Sequence, residues 1–366
     1  MGTFDILIAG AGPAGAAAAR MLATFAPDLR VVMVAPVEKR RCRGEVLSPL
    51  APSVLRHLGL WSAFLAQGFA RSHHTFTAWG EAGLRSSEML LEARGPAWRV
   101  DRARFDDWFA SAASSAATRI EAKVSDLERD ADGWSVDCGD GGRHAARLVI
   151  DATGRANALV RRQGGRARAQ DRLVAAYAEG TTSEQTAPEL LVEAFDDGWW
   201  YTMSLGEGRH AFVCMTDADI ARGLRLNTPH GWHAALTKAR FISAVARKIS
   251  RFDAPRLVAA GGRYAAMPVG FRFLCVGDAA SAFDPISGHG VVKAMRSGVF
   301  AAYAAGDCLV RNDGTALDRY GAWVAREAAA YEAALREHYA SESRWADRPF
   351  WRRRCADVSL SSPPHH

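Results

Sequence analysis

Two glycine-rich segments at opposite ends of the chain have the residue types and order needed to hold a phosphorylated cofactor. Gly10-Ala11-Gly12-Pro13-Ala14-Gly15 follows an apolar run, Phe4 to Ala9, that suits a buried parallel strand, and it opens an alanine-rich helix, Ala14 to Phe25. A helix N-terminus turns free backbone N–H groups toward its ligand, so a pyrophosphate is the natural occupant. Gly10 makes the tight turn, Gly12 lets backbone approach phosphate, and Gly15 lets helix pack on strand. The second segment, Gly277-Asp278 running into Phe283-Asp284-Pro285-Ile286-Ser287-Gly288-His289-Gly290, repeats that arrangement. Arg272 to Val276 reads as a buried strand and Val291 to Val310 as a helix, with Asp278 placed to accept hydrogen bonds from a polyol. Together the two segments read as the jaws of one FAD site.

Proton transfer beside such a site needs a titratable group, and Glu45 and His289 fall in loops expected near the flavin. Each has a plainer reading. Glu45 can pin its loop or a nearby arginine, and His289 can simply fill space in a loop whose backbone makes the contacts. The run Trp199-Trp200-Tyr201 suits either an aromatic substrate pocket or an ordinary core. Cys42 sits beside Arg40, Arg41 and Arg43, where a thiolate would be stabilised.

The 366 residues, 49% hydrophobic, can bury a large core and supply two interleaved domains. A net charge of +6 and a pI near 9.1 come from scattered arginines, not from one continuous basic face, which argues against nucleic acid and for anionic ligands. The six cysteines are widely spread without paired metal-ligand spacing, so no metal is expected and a reducing compartment is. No stretch is long and apolar enough for a membrane span, and the N-terminus lacks the basic leader of a signal peptide; a cytoplasmic protein is expected.

The elements that must position these residues form an α/β pattern, a Rossmann-like FAD-binding domain interleaved with an antiparallel-sheet substrate domain and followed by a C-terminal helical segment. The cofactor domain is read in three parts, 1–72, 96–170 and 258–316. Strands within 73–95 and a block at 171–257 belong to the substrate domain, and 317–366 holds the last helix and tail. Ser48 to Phe64, Arg102 to Ala117, Gly231 to Phe252 and Leu317 to Tyr339 read as helices, and Leu148-Val149-Ile150 as a short buried strand. The end after Val358 reads as disordered. The second strand of the cofactor domain ends in Val34-Ala35-Pro36, where dinucleotide folds usually place a ribose-binding acid, so that contact passes to Glu38 or to backbone.

Gly10 to Gly15, Arg43-Gly44-Glu45, Asp101-Arg102-Ala103-Arg104-Phe105-Asp106, Asp151-Ala152-Thr153-Gly154 and Gly277-Asp278 occur in the order seen in FAD-dependent monooxygenases of the 4-hydroxybenzoate hydroxylase type, which the whole chain resembles. More narrowly, Gly44 to Pro49, Leu58-Gly59-Leu60-Trp61, Asp197 to Tyr201, Met215 to Asp219 and Ala282 to Pro285 are similar to the branch near tryptophan halogenases. That branch includes the flavoprotein maturases of cysteine tryptophylquinone enzymes. The resemblance implies that Gly10, Gly12 and Gly15, with Pro13 and Ala14, hold the FAD pyrophosphate, neutralised by Arg43 or Arg102. It implies that Asp278 binds the ribitol and that Gly288, His289 and Gly290 contact the isoalloxazine by backbone. Gly44, Val124, Gly154 and Pro285 complete the expected cofactor contacts.

Reduced flavin reacts with molecular oxygen to give a C4a-hydroperoxide whose distal oxygen attacks an electron-rich ring, and the protein must keep that site dry and aim the substrate. The expected function is therefore hydroxylation of an aromatic small molecule or of a tryptophan in a peptide or protein, with electrons from NAD(P)H or a separate flavin reductase. Three other readings stand beside it: a flavin-dependent halogenase, a reductase of the geranylgeranyl reductase type, and a non-catalytic FAD-binding partner-recognition protein. The halogenases' Trp-x-Trp-x-Ile-Pro segment is missing, and the loop Pro285-Ile286-Ser287 is one residue shorter than theirs. Both departures favour hydroxylation.

Overall fold

The N-terminal apolar run forms the strand Gly2–Ala9, buried from Asp5 onward. It pairs in parallel with Val31–Val34 on one side and Arg143–Asp151 on the other, and Arg143–Asp151 pairs in parallel with Phe273–Cys275. Strands buried on both faces read as continuous apolar runs, which is why Ile6 to Ala9 and Val31 to Val34 show no alternation. The register sets Ala9 opposite both Asp151 and Val34, Asp151 opposite Cys275, and Val34 opposite Ile120. All five carboxyl ends therefore finish at one level, and the crevice beyond such ends is where open α/β sheets bind ligands. The computed structural model describes residues 2–36, 44–72, 74–88, 95–114, 117–183 and 190–355.

Two helices cross behind this crevice, Pro13–Phe25 and Gly290–Val310. Their alanine content has a steric cause. A Cβ on Gly298 would stand 2.1 Å from the Ala14 carbonyl oxygen, and Ala16 to Ala19, Ala301, Ala302 and Ala305 are all fully buried. Only small side chains let the two helices approach so closely while each opens at the cavity.

The second sheet runs Arg251–Phe252, Leu173–Thr181, Arg209–Asp217, Gly198–Gly206, Leu191–Phe195, His74–Ala78, Arg85–Glu88. Arg256–Ala259 also pairs with Leu173–Thr181, and all pairs are antiparallel except Leu191–Phe195 with His74–Ala78, so a segment far upstream completes a sheet otherwise built from residues 173–259. Alternation along Gly198–Gly206 sends successive side chains to opposite faces. Trp200 joins Phe212 and Trp232 under the helices Pro229–Leu236 and Arg240–Ala246, whereas Trp199 joins Val213 and Met215 against Tyr339, Phe350 and Trp351. A third, small sheet of Gly44–Leu47, Ala97–Asp101 and Ala70–Ser72 stands beside the crevice.

Several elements differ from the sequence expectation. The helix expected over Ser48 to Phe64 is two, Ala51–His57 and Trp61–Leu65, because Gly59 takes φ +68° and ends the first. The helix expected over Gly231 to Phe252 is likewise two. The short strand at Leu148 to Ile150 extends over Arg143–Asp151. The tail, to which no further element was assigned, contains the helix Pro349–Cys355, whose Phe350 and Trp351 are fully buried. The segment after Val358 lies outside the described residues.

Candidate functional site

The aligned strand ends open into a cavity of about 660 Å³. Gly10 to Ala14 line it at the first helix, Val34 to Pro36 and Ala122 to Val124 at one end, and Phe283, Asp284, Pro285, Ser287, Gly288 and Gly290 at the other.

Each N-terminal glycine has a different steric role. Gly10 adopts φ +116°, and a Cβ there would lie 2.3 Å from the Ala152 carbonyl oxygen, so the turn admits only glycine. A Cβ on Gly15 would lie 2.0 Å from the Gly10 carbonyl oxygen; Gly15 serves helix packing and does not line the cavity. A Cβ on Gly12 would meet nothing within 4 Å, which leaves a cradle open for a ligand. No side chain caps the helix Pro13–Phe25, so the N–H groups of its first turn remain for an anion. Gly288 and Gly290 at the far end line the cavity with the same open space at their Cβ positions. The residues present therefore fit an elongated diphosphate such as FAD.

Asp151 shapes the next loop. Its Oδ1 accepts from the Thr153 N–H (2.9 Å) and hydroxyl (2.6 Å), and its Oδ2 accepts from the Leu159 (3.2 Å) and Val160 (3.3 Å) N–H groups. Burial pushes its pKa up and these hydrogen bonds oppose the rise. The result is a fixed path for Ala152 to Ala156, which carries Gly154 and Arg155 into the cavity wall.

Glu45, Arg102 and Asp106 form one cluster in the wall. Arg102 Nη1 donates to Glu45 Oε2 at 2.9 Å and Nη2 to Asp106 Oδ2 at 3.2 Å. Burial works against the guanidinium's charge, but the two carboxylates outweigh it and hold the pKa above the ordinary arginine value. Arg102 was expected to neutralise a pyrophosphate, yet its charge is already committed to two acids; its Nε is the atom left without a hydrogen-bond partner. Glu45 is the acid that pins this arginine.

At the opposite end Asp284 is 1% exposed. It caps the short turn Pro285–Ser287 by accepting the Ile286 N–H at 2.9 Å, and it accepts the Tyr339 hydroxyl at 2.8 Å. Tyr339 in turn accepts the Trp199 indole N–H at 3.1 Å. Burial pushes the Asp284 carboxyl up to about 6, against the pull of these donors and of Arg354. Tyr331 stacks on Phe283 with ring centroids 3.7 Å apart, and its hydroxyl accepts the Asp284 N–H at 2.7 Å. The loop is thus clamped by the long helix Ala316–Ala340.

The structure brings together Gly10, Gly12, Pro13, Ala14, Glu45, Arg102, Val124, Gly154, Asp278, Pro285, Gly288 and Gly290 as cavity wall. Others fall elsewhere. His289 is exposed and outside the lining, at the N-terminal cap of its helix, so it does not present a catalytic imidazole to the cavity. Gly44 packs on the second sheet, where a Cβ would meet Leu205 at 2.0 Å. Trp199 and Trp200 are buried in two separate cores and Tyr201 is half-buried beside Trp199; none lines the cavity, because strand alternation divides the run between two faces. Glu38, Arg43 and Cys42 lie outside the described residues. Cys138, Cys214 and Cys275 are buried, with burial raising each thiol, as small apolar residues.

Asp106, Lys123, Arg155 and Asp284 were not singled out from the sequence as site residues, although all line the cavity. Asp106 carried a signal, standing four residues after Arg102 on a helix. Asp284 stood inside the second glycine-rich segment, but nothing there pointed to its burial, which depends on Tyr339 55 residues away.

A match to the family described as FAD binding domain spans residues 3–333. The chain belongs to this FAD-binding family. Among its relatives, a putative FAD-dependent oxidoreductase, LodB, of Marinomonas mediterranea is 28% identical, covering 98% of this chain and 99% of that protein. A menaquinone reductase of Mycolicibacterium smegmatis is 25% identical over 92% of this chain and 81% of its own. Among solved structures, the myxobacterial chondrochloren halogenase CndH superposes with a TM-score of 0.85 at 21% identity, covering 97% of this chain and 86% of that one. The peptidyl tryptophan dihydroxylase QhpG superposes at 0.79 with 23% identity, covering 100% of this chain and 81% of that one. These likenesses establish a shared fold. The family match over residues 3–333 bears out the resemblance to FAD proteins of the 4-hydroxybenzoate hydroxylase type, and a halogenase is among the structural neighbours. No helix among the described residues is long and apolar enough to cross a membrane.

Proposed function

We propose that this FAD-family chain is a monooxygenase that hydroxylates an electron-rich aromatic ring, with a tryptophan side chain of a peptide or protein as its substrate. The observation that carries the reading is the cavity itself, which runs from an uncapped helix N-terminus to a glycine loop held by Tyr331 and Tyr339 and offers a cradle for the whole of an FAD. Gly10 to Ala14 would hold the diphosphate, Asp278 the ribityl chain, and Gly288 and Gly290 the ring system. When bound, FAD supplies the activation of molecular oxygen. The protein's part is to hold the cofactor, keep water out and manage a proton. Of the wall carboxylates, Asp284 is tuned toward neutrality by burial, the property wanted in a group that exchanges protons near physiological pH. Glu45 instead fixes Arg102.

Similarity over the whole of this chain to a peptidyl tryptophan dihydroxylase supports a peptide or protein substrate. The missing Trp-x-Trp-x-Ile-Pro segment and the short Pro285-Ile286-Ser287 loop favour oxygen over halogen transfer. Electrons would come from NAD(P)H or from a separate flavin reductase. A saturating reductase is the second reading, favoured by the similarity to menaquinone reductase and to a digeranylgeranylglycerophospholipid reductase of Methanothermobacter thermautotrophicus.

Oxygen uptake by the FAD-loaded, chemically reduced protein separates these readings. A monooxygenase consumes oxygen and converts a tryptophan-bearing peptide without added halide. A halide requirement, or transfer of electrons to a quinone or polyprenyl chain in place of oxygen, would contradict the proposal.

A further inference from the structure

Lys293 lies in the first turn of the helix Gly290–Val310 and is 6% exposed. Its ammonium donates to Asp278 Oδ1 at 3.1 Å and to the Ser281 carbonyl, and it stands 4.6 Å from the centroid of the Phe283 ring. An ammonium has three hydrogens, and here it has three partners. All three partners belong to the segment that leads from the strand Phe273–Cys275 into the glycine loop.

The exposures are asymmetric. The Asp278 side chain is 34% exposed and lines the cavity, whereas the lysine stands behind it and does not line the cavity. Burial presses the Lys293 pKa down, the Asp278 carboxylate pulls it back up, and Arg155 adds to the downward pressure. A lysine in this position is costly, since an apolar side chain of similar volume would fill the space without desolvating a charge. What the charge adds is a fixed carboxylate at the cavity wall.

We propose that Lys293 is a positioning residue of the cofactor site: its ammonium holds the Asp278 carboxylate facing the cavity as acceptor for the ribityl hydroxyls of FAD, and it anchors Ser281 and Phe283 ahead of the glycine loop. This role rests on the reading of the cavity as an FAD site. It adds a residue that neither touches the cofactor nor belongs to a glycine motif, and that acts through Asp278.

The test is FAD affinity of the full-length protein, read by quenching of flavin fluorescence, for wild type, Lys293→Met, Lys293→Gln, Asp278→Asn and the Lys293→Met/Asp278→Asn double variant. Lys293→Met and Asp278→Asn should each weaken binding about tenfold or more, and the double variant should bind no more weakly than Asp278→Asn alone, as coupled neighbours do. The apo-protein melting midpoint separates this from general damage, which would lower stability without coupling the two positions in FAD binding. Lys293→Gln keeps a donor without the charge and decides the matter if Lys293→Met does not fold. Unchanged FAD affinity in a folded Lys293 variant, or losses that multiply in the double variant, would overturn the proposal. A wild-type protein that takes up no FAD would instead sink the cofactor reading and this role with it.

Discussion

The Tyr339 hydroxyl donates a 2.8 Å hydrogen bond to the Asp284 carboxylate, which ties the long helix Ala316–Ala340 to the loop at the far end of the cavity. Trp199, from the second sheet, donates to the same Tyr339 oxygen. Three elements thus meet at one buried phenol. Tyr339→Phe removes the donor to Asp284 and the acceptor of Trp199 together, and an unsatisfied buried partner costs about 1–3 kcal/mol. Denaturant unfolding should show a lower midpoint with an unchanged slope.

Asp284 also makes stability depend on pH. Its carboxyl is pushed from the ordinary 3.8 up to about 6 by burial, so between these values the folded protein holds a proton that the unfolded chain has released. Stability from this group is therefore greatest below the unfolded pKa and falls as pH rises toward the folded value, by about 3 kcal/mol at most. Asp284→Asn does not titrate. In the apo protein, the stability of Asp284→Asn relative to wild type should rise between pH 4 and pH 7; a constant difference would count against the raised pKa.

Gly12 and Gly15 are close in sequence and should fail in different ways. A Cβ on Gly12 meets no protein atom, so Gly12→Val should leave apo stability within about 0.5 kcal/mol of wild type while cutting FAD affinity at least tenfold. On Gly15 a Cβ would strike the Gly10 carbonyl, so Gly15→Ala should destabilise the apo protein by more than about 2 kcal/mol. Calorimetry of both apo variants, with flavin titrations, checks the contrast.

The helix Pro349–Cys355 should be part of the core and not an appendage. Trp351 is fully buried and donates its indole N–H to the Phe195 carbonyl at 2.9 Å. Trp351→Ala should cost about 3–5 kcal/mol, the usual range for removing a buried large aromatic side chain. A loss within experimental error would show that the second sheet does not depend on this helix.

The cofactor half of the molecule was legible because its signals are local. A buried strand, a glycine turn and an alanine-rich helix follow one another within residues 4–25, and the steric demands on Gly10 and Gly15 come from immediate neighbours. The aromatic run Trp199-Trp200-Tyr201 stayed ambiguous between pocket and core because its composition says nothing about which side of a sheet faces which layer. That depended on the helix around Trp232 and on the tail helix with Trp351. Asp284 and Lys293 likewise acquire their character from partners brought in by tertiary packing, so their residue types alone could not distinguish them from solvated surface groups.

The central claim, oxygen transfer to an aromatic ring, is tested most directly by isotopic labelling. The FAD-loaded, reduced protein is given labelled oxygen gas and a tryptophan-containing peptide in the presence of chloride, and the product is analysed by mass spectrometry. The account predicts label from the gas in the indole ring. A ring that carries chlorine, or one that stays unlabelled while oxygen is consumed, would contradict it.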